Sequence, residues 1–246
     1  MFDFSDKVAV VSGASGALGS VIARRLFEAG ATLALIDRAI DRLPALWPEA
    51  EGGDAFDAGA DARLYFFACD LADGPAVERT VVQIASRLGR IDHLFNIAGT
   101  YRGGETIEEA PDETWSMLWE ANFLSALHLC RAVVPGMRRR GSGSIVNVGS
   151  KASLGGDAGA APYSIAKTAV VRLTESLAAE VRRDGVRVNA VLPGTLDTPA
   201  NHHAMPDGDS RAWVEPEALA DAMLFLASPE ARAVTGVALP VFGLGG

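Results

Sequence analysis

Apolar residues fall along this chain in short continuous runs, separated by stretches with helical periodicity. The runs are Val8–Val11, Ala31–Ile36, Arg63–Cys69, Ile91–Ile97, Ser144–Val148, Val186–Leu192 and Val237–Val241. Runs this short, with little polar alternation, predict strands covered on both faces, as in a parallel sheet under helices. Between them, apolar positions recur at helical spacing over Ala17–Ala29, Pro75–Leu88, Pro111–Arg140, Pro162–Arg183 and Pro216–Ala227. Pro75, Pro111, Pro162 and Pro216 suit a first helical turn, where an N–H would have no partner in any case. Gly30 and Gly89 suit helix ends. Strand and helix in alternation predict an α/β fold: a doubly wound, seven-stranded parallel sheet with helices on both faces. No repeat or linker divides residues 1–246, so one domain is expected.

Two stretches break the alternation. Leu43–Ala62 contains Pro44, Pro48, Gly52, Gly53 and Gly59 and reads as an exposed excursion with room for one helical turn. Thr195–Arg211 is rich in Pro, Gly, Asn and His and follows a strand end, where open α/β sheets bind ligands. Residues 195–213 are therefore expected to form a mobile flap over a substrate.

Composition narrows the partners. The net charge is −9, which argues against non-specific nucleic-acid binding and against docking to anionic membrane. An anionic cofactor stays possible, because backbone amides at a helix N-terminus hold phosphate without positive side chains. No apolar run is long enough to span a bilayer. Met1-Phe2-Asp3-Phe4-Ser5-Asp6-Lys7 has no charged-then-apolar leader. Cys69 and Cys130 lack metal-ligand spacing. The expectation is a reduced, cytoplasmic protein with no bound metal.

Chemistry enters at Ser12-Gly13-Ala14-Ser15-Gly16-Ala17-Leu18-Gly19, which follows a predicted strand and opens a predicted helix. Glycines let the backbone turn sharply and approach a pyrophosphate, while the helix N-terminus stabilises its charge. In this context the turn predicts a Rossmann fold binding a dinucleotide through Gly13, Ser15, Gly16, Ala17, Leu18 and Gly19. Asp37 ends the second strand. A carboxylate there accepts hydrogen bonds from a ribose diol and repels a 2′-phosphate; it also suits an ordinary strand-end turn. Arg38 reads as an attractor of 2′-phosphate or as a solvated arginine. NAD(H) is favoured and NADP(H) remains open.

Tyr163 and Lys167 stand four residues apart on a predicted helix, and so on one face. Ser150 lies just beyond a strand, thirteen residues before Tyr163. A hydroxyl, a phenol and an ammonium together can donate a proton to a carbonyl oxygen. Taken alone, the pair reads as well as a half-buried tyrosine beside a solvated lysine.

With the glycine turn and the Ser–Tyr–Lys set together, nearly the whole chain resembles the short-chain dehydrogenase/reductase family, bacterial 3-oxoacyl-carrier-protein reductases in particular. The family's Thr-Gly-x-x-x-Gly-x-Gly is matched by Ser12 and Gly13, with Ala17 where the middle glycine is expected and Gly16 one position early. Cys69-Asp70-Leu71 is similar to the segment that holds adenine, and Asn96-Ile97-Ala98-Gly99 to Asn-Asn-Ala-Gly. Asn122 matches a fourth catalytic position; Asn189 and Pro193-Gly194-Thr195-Leu196-Asp197-Thr198 match the segment at the nicotinamide, with Thr198 at the carboxamide. Phe242 and Leu244 depart from the usual Val-Asp-Gly-Gly ending.

The resemblance implies hydride exchange between a nicotinamide and a small ketone or secondary alcohol. Tyr163 is then the acid/base, Ser150 polarises the substrate oxygen, Lys167 depresses the phenol's pKa and bonds the ribose, and Asn122 holds a water. It also implies a homotetramer or homodimer. Tyr101, Leu154, His202, Met205 and Trp213 are the expected substrate wall. His202-His203 without further partners reads as loop histidines rather than a metal site. Leu196–Trp213 is similar to the corresponding loop of dihydropteridine reductases, so reduction of a quinonoid pterin is an alternative. A dinucleotide sensor without turnover is another.

Overall fold

The computed structural model describes residues 2–47 and 63–244. Seven strands form one parallel sheet: β1 (Val8–Ser12), β2 (Thr32–Asp37), β3 (Leu64–Ala68), β4 (His93–Asn96), β5 (Gly143–Val148), β6 (Val186–Pro193) and β7 (Ala238–Val241). Their order is β3-β2-β1-β4-β5-β6-β7, every neighbour parallel. The chain winds outward from β1 in one direction and then from β4 in the other. The crevice at that reversal, beyond the strand C-termini, is where such sheets bind ligands.

Continuous apolar runs are explained by the two cores they serve. Successive strand residues point to opposite faces. Val11, Leu33, Leu35 and Val146 face one core, packed under α1 (Ala17–Glu28) and α8 (Pro216–Ala227) through Ile22, Leu26, Leu219 and Met223. Val10, Ala34, Ile36 and Ile145 face the other, under α3 (Gly74–Leu88), α5 (Ser125–Arg140) and α6 (Ala161–Val181) through Val77, Ile84, Leu129, Val133 and Val181.

Three differences from the sequence expectation matter. The predicted helix Pro111–Arg140 is α4 (Asp112–Trp119), a π turn at Glu120–Leu124 and then α5, with Pro111 as the N-cap of α4 rather than inside its first turn. The excursion after β2 begins with a single turn, α2 (Leu43–Leu46), but Leu43 and Trp47 are fully buried rather than exposed. Its remainder, with Pro48, Gly52, Gly53 and Gly59, lies outside the described residues. The 195–213 segment is not irregular throughout: it carries α7 (Pro199–Ala204), and its two ends are joined by a parallel bridge between Leu196 and Val214. Among the described residues no helix is long and apolar enough to cross a membrane.

Candidate active site

A polar row marks the C-terminal end of the central strands. Ser12 of β1 stands opposite Asn96 of β4, which stands opposite Asn147 of β5. The Ser12 hydroxyl accepts from the N–H groups of Ile97 and Ala98 at 3.0 and 3.2 Å, fixing the turn after β4. Asn96 Nδ2 donates to Asn147 Oδ1 at 2.8 Å, and Asn147 Nδ2 donates to Thr174 at 2.9 Å. Cys130 Sγ accepts a second contact from Asn96 at 3.4 Å. Burial pushes that thiol up to about 12, so it stays a packed, neutral side chain. Asn96 therefore ties strands together beneath the crevice rather than lining it.

Above this row lies a cavity of about 1030 Å³ running from the glycine turn to the end of β5. At one end Gly13, Ser15, Gly16, Ala17, Leu18 and Gly19 line it. Gly13 adopts φ +65°, and a Cβ there would sit 2.9 Å from Ala98 Cα, so the β1 and β4 turns touch backbone to backbone. The first turn of α1 has neither a side-chain cap nor an acidic residue, and its residues line the cavity. That arrangement suits a pyrophosphate. Asp37 is held in place: Oδ2 accepts from the N–H and hydroxyl of Ser15 at 3.0 and 2.8 Å, and Oδ1 from the N–H of Arg38 at 2.8 Å. Arg38, Asp70 and Leu71 also line this end.

At the other end stand the candidate reacting groups. Ser150 follows β5, and its Oγ accepts from the N–H of Ala152 at 3.2 Å. Tyr163 and Lys167 project from successive turns of α6. Burial raises the Tyr163 phenol above the ordinary tyrosine range, a hydrogen bond with Ser150 draws it back, and the neighbouring phenol of Tyr101 raises it again. Burial also lowers Lys167, to about 8. Its Nζ donates to Val148 O at 2.9 Å and stands 5.9 Å from the Tyr163 ring. Desolvation thus dominates at the phenol, and the Lys167 ammonium is engaged by a carbonyl.

The π turn explains Asn122. It carries that side chain inward, where Nδ2 donates to Thr100 O and Leu118 O at 2.9 Å each and Oδ1 accepts from Thr100 N–H at 3.2 Å. Gly99 lets this happen, since a Cβ there would lie 2.6 Å from Asn122 Oδ1 and 3.3 Å from Lys167 Nζ. Ala98, Gly99, Asn122, Pro193, Gly194, Tyr101 and Met205 all line the cavity.

Several expected contacts stand elsewhere. Thr198 is buried as the N-cap of α7, accepting from Asn201 N–H, and is not in the lining. Asn189 is a strand tie, donating to Val234 O and accepting from Val237 N–H. Leu154 is outside the lining and 61% exposed. His202 and Trp213 also lie outside it: His202 Nε2 meets Asp197 Oδ1 at 2.6 Å, and its ring packs on Trp213 at 4.8 Å. Those two pack on each other within the flap instead. Among the described residues no group of three or more His, Cys, Asp or Glu could hold a metal. Not foreseen in the sequence were Met117, Glu120, Lys151 and Asp157, which line the cavity; each has an ordinary local context and no distinguishing spacing.

The family model described as short chain dehydrogenase matches residues 7–208. The chain is 34% identical over 251 residues to meso-2,3-butanediol dehydrogenase of Serratia marcescens, covering 98% of this chain and 94% of that protein. It is 35% identical over 246 residues to a 3-oxoacyl-[acyl-carrier-protein] reductase of Vibrio cholerae, covering 96% of each. Among solved structures, gluconate 5-dehydrogenase of Burkholderia cenocepacia, in complex with NADP and tartrate, superposes with a TM-score of 0.88 at 27% identity, over 99% of this chain and 96% of that one.

Proposed function

Because the chain belongs to the short-chain dehydrogenase family, we propose that it interconverts a small ketone and its secondary alcohol, with Tyr163 as acid and base. Family membership makes it an oxidoreductase of alcohol and carbonyl groups that uses a nicotinamide dinucleotide. The observation carrying the finer reading is the convergence of Ser150, Tyr163 and Lys167 on one end of a cavity whose other end is the glycine turn. A bound nicotinamide supplies or accepts the hydride.

The protein's own part is proton handling and positioning. In ketone reduction the Tyr163 hydroxyl donates its proton to the carbonyl oxygen. Ser150 donates a hydrogen bond to that same oxygen as charge develops on it. Lys167, freed from Val148 O, bonds the cofactor ribose, and its positive charge favours the phenolate left behind. Asn122 fixes the Thr100 backbone beside Lys167. Gly13, Ser15, Gly16, Ala17, Leu18 and Gly19 hold the pyrophosphate; Asp70 and Leu71 hold adenine; Ala98, Pro193 and Gly194 complete the cofactor bed. Tyr101 and Met205 face the substrate. Ser150→Ala lowers kcat about 10²-fold with cofactor affinity intact, the scale of losing one oxyanion donor. Stopped-flow turnover with NADH binding measured in parallel tests this, and an unchanged kcat removes Ser150 from the chemistry.

NAD(H) is the preferred cofactor in this reading. The Asp37 carboxylate is tied by four donors, two of them from Ser15 inside the glycine turn, so it cannot swing aside for a 2′-phosphate without unpairing that turn. In fluorescence titrations NADH binds tighter than NADPH by at least about ten-fold, some 1.4 kcal/mol, and Asp37→Asn narrows the gap. Equal or tighter NADPH binding overturns this preference.

Generic ketone or alcohol chemistry is favoured over pterin reduction by the Ser150 hydroxyl beside Tyr163 in the same cavity wall, where it serves a developing alkoxide. A sensor without turnover has no use for that pairing. We also place the protein in the cytoplasm as a homodimer or homotetramer. Trp119 is 38% exposed while stacked on Phe123, and Ile165 of α6 is 50% exposed, giving an apolar face for a second copy.

A further inference from the structure

Tyr101 lies on the loop between β4 and α4 and is 66% exposed. Despite that exposure its ring is held in one place. It stands perpendicular to the ring of Tyr163, with centroids 5.0 Å apart and 83° between the planes. The N–H of Gly104 donates to Gly159 O at 2.8 Å, which ties this loop to the one that leads into α6. Gly103 completes the seat: a Cβ there would overlap the Tyr101 hydroxyl and stand 2.9 Å from Gly159 O. The space a side chain at 103 would need is filled by the Tyr101 phenol.

An exposed ring so seated adds little to core burial. Among the described residues its one defined aromatic contact is with the phenol assigned to proton transfer. Perpendicular aromatic pairs have a preferred geometry, so the contact restricts rotation of both rings. We infer that Tyr101 is a positioning residue for Tyr163, holding the plane of its ring so that the phenol meets Ser150 and shielding that side of it from water. The inference rests on the reading of Tyr163 as acid and base.

The groups facing Tyr163 come from three directions. Ser150 approaches from the end of β5, Tyr101 from the β4–α4 loop, and Lys167 from one turn further along α6. Lys151 and Asp157 are ionisable residues in the cavity wall supplied by the β5–α6 connection. Of these, the hydrogen bond with Ser150 favours the phenolate, whereas burial and Tyr101 disfavour it.

Three variants test this. Tyr101→Phe keeps the ring; Tyr101→Leu and Tyr101→Ala remove it. The chain has three tyrosines, Tyr65, Tyr101 and Tyr163, so ¹³Cζ-tyrosine NMR of the unliganded protein resolves them without reference to turnover. The Tyr163 resonance is expected to stay near its native position in the Phe variant. It moves in the Leu and Ala variants, with its titration midpoint displaced to lower pH. In the loaded enzyme kcat falls about ten-fold in Leu and Ala, part of the 10²-fold range for a misplaced reacting group, and Phe, which keeps the ring, recovers most of that loss. The rising limb of the alcohol-oxidation pH profile moves to lower pH in Leu and Ala, and less in Phe, which loses only the contribution of the Tyr101 phenol. Thermal stability and NADH affinity hardly change. An unmoved Tyr163 resonance with native kcat in the Ala variant overturns the inference. So does a Phe variant as impaired as Ala, or a rise in KM alone. Tyr163→Phe run beside them separates the two levels: if that variant turns over, the assignment of Tyr163 itself falls.

Discussion

Tyr163→Phe keeps its fold and its NADH affinity and loses about 10³-fold or more of its turnover, within the range for a lost general acid. The substitution removes one oxygen. The phenyl ring still fills the same site on α6 and still meets Tyr101, so packing has no reason to fail. What is lost is the hydroxyl beside Ser150. No neighbour replaces it. Lys167 Nζ donates to Val148 O and stands 5.9 Å from the ring, and Ser150 has an alcohol's proton, far too weakly acidic to give up at neutral pH. The direction of the phenol's shift adds a pH signature. Burial raises it, so Tyr163 holds its proton at neutral pH in the unliganded protein. Ketone reduction starts from that protonated form. Alcohol oxidation needs the phenolate, so its rate climbs with pH in the native enzyme, and the climb disappears in the Phe variant. Steady-state kinetics in both directions, with NADH binding followed by fluorescence, reads all three effects. Turnover near native would remove Tyr163 from the chemistry.

The parts of the site legible in the sequence are those whose chemistry is local. The glycine turn is readable because close approach at Gly13 and Gly19 forbids a side chain, leaving glycine at fixed offsets from a strand end. Tyr163 and Lys167 are readable because helical geometry alone places residues four apart on one face. The paired cores are readable because strands covered on both faces carry unbroken apolar runs. Other features depend on which distant segment comes near. The Asn96–Asn147–Thr174 chain joins β4, β5 and α6, and no spacing announces it. The π turn that turns Asn122 inward has no signal in a sequence that is helix-like throughout Pro111–Arg140. Leu154, His202 and Trp213 read as substrate wall in a set that is mostly apolar or aromatic. Their directions are set by how each loop folds, and His202 turns to Asp197 and Trp213 instead. The burial of Lys167 and its hydrogen bond to the Val148 carbonyl are unreadable for the same reason, since both belong to the tertiary structure.

Gly19→Ala separates local preference from packing most sharply. Gly19 is the third residue of α1, and in a helix interior alanine is favoured over glycine by up to about 1 kcal/mol. On propensity alone the variant is more stable. The structure gives the opposite sign. A Cβ on Gly19 would overlap the carbonyl oxygen of Gly13 and stand 2.9 Å from its carbon and 3.0 Å from Ala14 Cα. All three neighbours are backbone, so no side chain can rotate away. Either α1 slides along its axis or the Gly13–Ala14 turn opens. Sliding is opposed by Leu18, Ile22 and Leu26, which are packed in the core. Opening the turn is opposed by Gly13, already in the left-handed region and against Ala98. Overpacking of this kind destabilises by roughly 1–3 kcal/mol. In a domain of this size that lowers Tm by about 2–4 °C per kcal/mol. The larger effect falls on the cofactor, because the displaced atoms are those facing the pyrophosphate. NADH affinity drops by about ten-fold or more, some 1.4 kcal/mol of lost binding. Gly16→Ala is the internal control. Its Cβ would lie 3.2 Å from Gly13 O, a contact relieved by a shift of a few tenths of an ångström, so its losses in Tm and affinity are smaller. A Gly19→Ala protein with raised Tm and native NADH binding would show that the turn and α1 are not packed backbone to backbone.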